Sequence, residues 1–103
     1  ATAVQVKGVS TFPLAKEDIA LVVPSDIPVA RVEQVVRQGA GALAESVTLF
    51  DVYEGGQVEK GHRSLAFALR LRGDHTLTAK EAEDVRRAVV AKARKALGAR
   101  LRA

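Results

Sequence analysis

The spacing of apolar residues switches along the chain between a period of two and a period near 3.6, and the switches mark its elements. Residues 18–23, DIALVV, form a β-branched, apolar run closed by Pro24, the pattern of a strand. SDIP follows, with Ser25 or Asp26 placed to cap a helix and Pro28 suited to its first position. VARVEQVVRQ then sets Val29, Val32, Val35 and Val36 on one stripe, and Gly39 and Gly41 are stop signals. From Leu43 to Tyr53 the period returns to two. Strict alternation sends Thr48, Phe50 and Val52 to one face and Val47, Leu49, Asp51 and Tyr53 to the other. EGGQVEKGHR is a glycine-rich connection that carries Lys60, His62 and Arg63. In the strand from Ser64 to Leu71, Leu65, Phe67, Leu69 and Leu71 point inward, while Ser64, Ala66, Ala68 and Arg70 point outward. Thr78-Ala-Lys-Glu81 is a capping box. It opens a helix whose apolar stripe is Ala82, Val85, Val89, Ala93, Ala96 and Leu97. Gly98 closes that helix, and Ala99 to Arg102 supply a short last strand.

The order is β-α-β-β-α-β, the split arrangement of an α+β, ferredoxin-like sandwich. It predicts an antiparallel sheet with two helices on one face and the other face open. The open face is expected to gather Ala20, Val22, Leu49, Asp51, Tyr53, Ser64, Ala66 and Ala68. An acid and a phenol then stand side by side above a floor of small residues. Such a floor lets a flat ligand come close to the backbone, whereas a face selected for hydration alone would carry long charged side chains.

Composition narrows the class. A chain of 103 residues is long enough for one core without staples, and 48% apolar against 27% charged residues is the balance of a folded domain. The absence of cysteine excludes disulfides and thiolate metal sites, which points to a reducing, cytoplasmic setting. No apolar run approaches the roughly 20 residues of a membrane helix. The sequence also lacks methionine, so Ala1 is not a translation start as written. Residues 1–11 read as a connector from a preceding part of a longer polypeptide, and 12–103 as the domain. The net charge of +4 is concentrated from Lys80 onward, where eight basic residues face three acidic ones.

Catalysis finds little support. His62 and His75 lie in separate loops without metal-ligand spacing or a nucleophile to activate. Asp51 and Glu54 would leave a continuing strand on opposite sides, and Gly55-Gly56 precedes no helix that could cradle a phosphate. Asp51, Tyr53 and Ser64 make a better set. A purely structural reading has Tyr53 covering the sheet while Asp51 and Ser64 bond water or nearby amides. A functional reading has Tyr53 stacking an unpaired nucleobase, Asp51 accepting from base N–H groups and Ser64 donating or accepting. Lys60, His62 and Arg63 would then touch flanking phosphates, with Lys16 a lesser candidate. The basic residues of the last helix and tail (Arg86, Arg87, Lys92, Arg94, Lys95, Arg100 and Arg102) can solvate a helix face or follow a phosphate backbone. Against the second role, the helices lie opposite the open face.

Taken together, Phe12-Pro13, Asp18-Ile19-Ala20-Leu21-Val22-Val23, Leu49-Phe50-Asp51-Val52-Tyr53, Gly61 followed by Ser64-Leu65-Ala66-Phe67, and Thr76-Leu77-Thr78 resemble the ferredoxin-fold anticodon-binding domain. That domain closes the β subunit of bacterial phenylalanyl-tRNA synthetase, and the likeness runs from residue 12 to 102. The resemblance implies a non-catalytic module that binds the anticodon loop of phenylalanine tRNA. Ligation of phenylalanine with ATP and Mg2+ would occur elsewhere in a cytoplasmic α2β2 parent. It implies contacts from Asp51, Tyr53 and Ser64 over Ala66, with Lys60, Arg63 and Lys16 as basic neighbours, and no cofactor, membrane or DNA partner. One departure stands out: many relatives have a basic residue before the strand-one Asp, where this chain has Glu17.

Two other readings share the strand order. An ACT-like regulatory module would bind a small molecule at a domain interface through glycine-containing loops. A protein-interaction module would cover the open face with another subunit. An RRM is disfavoured, because SLAFALRL lacks the closely spaced exposed aromatics of that motif and Phe67 falls on the core side.

Overall fold

The structure is a computed structural model that describes residues 12–102, so the expected connector over 1–11 lies outside the described residues. The elements run β1 (Ala15–Pro24), α1 (Val29–Ala40), β2 (Ala44–Tyr53), β3 (His62–Leu71), α2 (Ala79–Leu97) and β4 (Arg100–Leu101), with a 3-10 turn at Gly41–Leu43. The strands form one sheet in the order β2-β3-β1-β4, each antiparallel to its neighbours. One core fills the space between sheet and helices. Ile19, Leu21 and Val23 of β1 and Leu65, Phe67, Leu69 and Leu71 of β3 meet Val32, Val35 and Val36 of α1 and Ala82, Val89 and Ala93 of α2. The ferredoxin-like arrangement follows from the order and periodicity of the elements, as expected.

Several local expectations are corrected. Neither Ser25 nor Asp26 caps α1. The N-cap is Pro28, without a side-chain cap bond, and the chain enters through a turn in which the Ile27 amide donates to the Pro24 carbonyl at 3.1 Å. The Ser25 amide instead donates to the Gly61 carbonyl. Gly39 is not a stop but lies inside α1. A Cβ there would fall 2.8 Å from the Val89 Cα, so the two helices touch backbone to backbone at this point. The stop is Gly41, whose φ of 69° favours glycine. Ala96, expected in the buried stripe of α2, is exposed.

The capping box of α2 is present in full. Thr78 Oγ1 accepts from the Glu81 amide at 3.0 Å, and Glu81 Oε1 accepts from the Thr78 amide at 2.8 Å. The second Glu81 oxygen lies 2.8 Å from His75 Nε2, while His75 Nδ1 lies 2.8 Å from Asp74. The bond to Asp74, followed by that to Glu81, raises the His75 pKa.

The main correction concerns β2. Val47 pairs with Leu69 and Leu49 with Phe67, both on the core face, but the next partners are Asp51 with Ala66 and Tyr53 with Ser64, on the open face. The register shifts between Leu49 and Asp51, leaving Phe50 as the extra residue of a β-bulge. Leu49 therefore faces the helices, not the open face. Thr48, opposite Ala68, takes the open side instead. Phe50 is left 56% exposed.

Candidate nucleic-acid interface

The register sorts the open face into rows. Tyr53 stands opposite Ser64, Ser64 opposite Val22, and Val22 opposite Arg100. In the next row Asp51 stands opposite Ala66 and Ala66 opposite Ala20. The Arg102 amide donates to the Ala20 carbonyl at 2.7 Å, which adds Arg102 to this row. Beyond them lie Thr48, Ala68 and Asp18, then Ser46, Arg70 and Lys16. The floor is thus Ala20, Ala66 and Ala68, and the only aromatic ring among its row partners is Tyr53.

That ring is not bare. The Arg102 guanidinium carbon sits 4.6 Å from the centroid of the Tyr53 ring. β2 and β4 are the outermost strands, about 14 Å apart at roughly 4.8 Å per strand. Neither side chain spans that gap alone, so both lie down across the floor to meet. Such a contact is worth about 0.5–1 kcal/mol at an exposed site. The far end of the ring touches the β2–β3 loop, where a Cβ on Gly56 would fall 2.1 Å from the Tyr53 hydroxyl oxygen. Ser64 and Val22 are buried although no helix covers this face, and Val58 of the same loop is buried outside the helix-side core cluster.

The loop itself is tied down. Glu59 accepts from Arg100 of β4 at 2.6 Å, and the Val58 amide donates to the Gly55 carbonyl at 2.9 Å. The hydrogen bond from Arg100, followed by that of its own backbone amide, lowers the Glu59 pKa to about 2. The pairing therefore lasts through the whole neutral and mildly acidic range.

The expected site residues divide accordingly. Asp51, Tyr53 and Ala66 meet on the open face as expected, with Asp51 exposed and Tyr53 keeping 37% of its surface. Ser64 shares the face but is only 3% exposed, so its hydroxyl is closed to a ligand in this arrangement. Lys60 is exposed in the loop, its carbonyl oxygen 3.2 Å from His62 Nδ1. Lys16 lies on the open face at the opposite end of the sheet from Tyr53. Arg63 is not brought to this face. It belongs to β3 rather than the loop, pairs with the core residue Val23, and donates to the Ile27 carbonyl at 2.8 Å. Glu17, the departure noted above, pairs with Leu69 on the helix side and approaches Arg86 of α2 at 3.9 Å. An acid at that position therefore leaves the open face unchanged.

Sequence reasoning missed Arg102 by grouping it with the basic helix. The signal was present: in Arg100-Leu101-Arg102 the apolar middle residue turns to the core, so both arginines turn to the open face. Among the described residues, no group of three or more His, Asp or Glu side chains is placed to hold a metal ion. No helix among them is long and apolar enough to cross a membrane.

The chain is similar to known proteins over nearly its whole length. The phenylalanine–tRNA ligase beta subunit of Thermobifida fusca is 54% identical over 95 residues, covering 91% of this chain and 11% of that protein. The same subunit of Cutibacterium acnes is 54% identical over 99 residues, covering 95% of this chain and 12% of its relative. That of Streptomyces avermitilis is 53% identical over 105 residues, covering 99% and 13%. The chain thus spans about an eighth of the length of these relatives. The family model of the ferredoxin-fold anticodon binding domain matches residues 10–102, and the chain belongs to that family.

Proposed function

We propose that this chain is the anticodon-recognition domain of a phenylalanine–tRNA ligase β subunit. Its open sheet face binds the anticodon loop of phenylalanine tRNA. Tyr53 stacks one unpaired base, and Asp51 accepts hydrogen bonds from that base's N–H edge, a pattern guanine satisfies with paired donors. Lys60 and Lys16 attract flanking phosphates. The chain does no chemistry: ATP and Mg2+ are used by the rest of a cytoplasmic parent, in which this β-subunit domain works alongside an α subunit in an α2β2 assembly.

One observation carries the reading. Asp51 and Tyr53 share the face no helix covers, opposite Ala66 and Ser64, because the Phe50 bulge brings them there. A carboxylate beside an aromatic plane on a floor of alanines is the equipment for reading an unstacked base.

The test is titration with the anticodon stem-loop of phenylalanine tRNA and with one altered at the first anticodon base. The parent chain is expected to prefer the cognate loop. Tyr53→Ala should weaken binding by about 1–3 kcal/mol. Asp51→Asn should narrow the preference between loops. Equal, salt-sensitive binding to both loops, unmoved by either substitution, would leave only nonspecific attraction to the basic residues and sink the reading.

A further inference from the structure

We propose that the outer flank of α2 and the free edge of β4 form a docking groove for an extended acidic segment of a partner protein. The site goes beyond the anticodon reading and does not depend on it. It lies on the helix side of the sheet, at the β4 margin, away from the floor of alanines.

A groove of about 350 Å³ runs between α2 and β4. Val90 and Ala91 of α2 and Leu101 of β4 make its apolar floor, and Arg86, Arg87 and Arg94 stand along it. At helical spacing the α2 members form one stripe beside the core stripe. Charge on this part of the chain is one-sided: no acidic residue follows Asp84, whereas seven basic ones do. Earlier in α2 the charges are paired, Lys80 with Asp84 at 3.1 Å and Arg87 with Glu83 at 3.2 Å. Arg94 has no ion pair among the described residues. The helix dipole favours a cation in the last turn, but it does not call for apolar surface beside that cation. The strand edge supplies the second half of the site. β4 ends the sheet, and the Arg102 amide donates to the Ala20 carbonyl at 2.7 Å. At the next residue, Leu101, the amide and carbonyl therefore turn away from β1. No strand lies on that side among the described residues. An extended segment takes main-chain bonds at such an edge while alternate side chains meet the flanking surface. Carboxylates match the guanidinium groups, and apolar side chains match Val90 and Leu101. A second copy of this chain fits worse, because two such edges would set arginine against arginine. A phosphate backbone would leave the apolar floor uncovered.

The experiment titrates the 103-residue chain with the peptide acetyl-ELEVELEVE-amide and follows backbone amides by nuclear magnetic resonance. The same peptide with lysine in place of glutamate is the control. Saturable shifts confined to α2 and β4 are expected with the acidic peptide alone, and exchange of the Leu101 amide proton should slow. Arg94→Glu should weaken the peptide by about tenfold. Lys92→Glu makes the same change in net charge on the flank of α2 that meets Gly39, and it should weaken the peptide far less. No binding, equal binding of both peptides, or equal losses in the two variants would overturn the groove. Shifts with no change in exchange at Leu101 would overturn strand addition. The anticodon stem-loop, titrated into the same variants, tests the rival occupant. A loss of stem-loop affinity in Arg94→Glu beyond that in Lys92→Glu, without peptide binding, would give the groove to RNA. A dimer of the parent chain that protects the Leu101 amide without peptide would give it to a second copy, and either result overturns the inference. The anticodon reading survives all of these outcomes, since it is judged by Tyr53→Ala and Asp51→Asn.

Discussion

On the face of β3 turned to the helices stand Leu65, Phe67, Leu69 and Leu71, all fully buried. On the other face stand Ser64, Ala66, Ala68 and Arg70, in the same register and on the same backbone. The first set fills volume and the second leaves volume empty. Where the open face must carry charge it pairs it off at one end, as Arg70 does with Asp18 at 3.5 Å. At the other end it keeps an arginine on a ring. On the proposed function, stability and recognition fall on opposite sides of a sheet one residue thick, and substitutions should separate them.

The largest separation is expected from Phe67→Ala, which empties the centre of the core and should cost about 3–5 kcal/mol in chemical denaturation. Gly39→Ala comes next. In an open helix that change stabilises by about 1 kcal/mol, but here the new Cβ meets the Val89 backbone at 2.8 Å. The sign should reverse, with a loss of about 1–3 kcal/mol as the helices are pushed apart. A melting temperature above that of the parent chain would refute the close approach. A smaller effect is expected at His75, whose folded pKa is raised by Asp74 and then Glu81. Its contribution is fully present below the unfolded value of about 6.5 and is lost as pH rises through the higher folded value. The parent chain should therefore lose more of its melting temperature over that window than His75→Gln does. Smallest of all for stability is Ala66→Leu on the open floor, expected within about 0.5 kcal/mol of the parent. The same substitution should abolish the preference for the cognate anticodon loop. If instead it unfolds the chain, the two faces are not independent.

Periodicity made the fold legible because burial on one side imposes it: β3 alternates without interruption and the capping box of Thr78 and Glu81 opens α2 where its spacing places it. Asp51, Tyr53 and Ala66 could be placed on the open face for the same reason, though for β2 the right result came through the wrong register. Alternation counted from Val47 puts Asp51 with Leu49, and only the bulge separates them. A bulge of this kind leaves no mark in a string that carries apolar residues on both faces of the strand. The burial of Ser64, the turn of Arg63 toward Ile27 and the meeting of Arg102 with the Tyr53 ring were hidden, although the face that Arg102 takes was legible. Each depends on what a long side chain or loop does after the strands have paired, which strand spacing alone does not encode.

The bulge has a further consequence, for how copies of this chain behave toward one another. β2 is an outer strand ten residues long, with Phe50 and Val52 exposed on it. A flat, apolar edge of that length is a template on which another strand can add and from which aggregates grow. Register shifts after Ala44 and after Leu49 divide it into the regular runs Ser46 to Leu49 and Asp51 to Tyr53. Both are shorter than the roughly six residues a self-pairing segment requires. The irregularity that turns Asp51 to the open face also keeps the edge from recruiting its own kind.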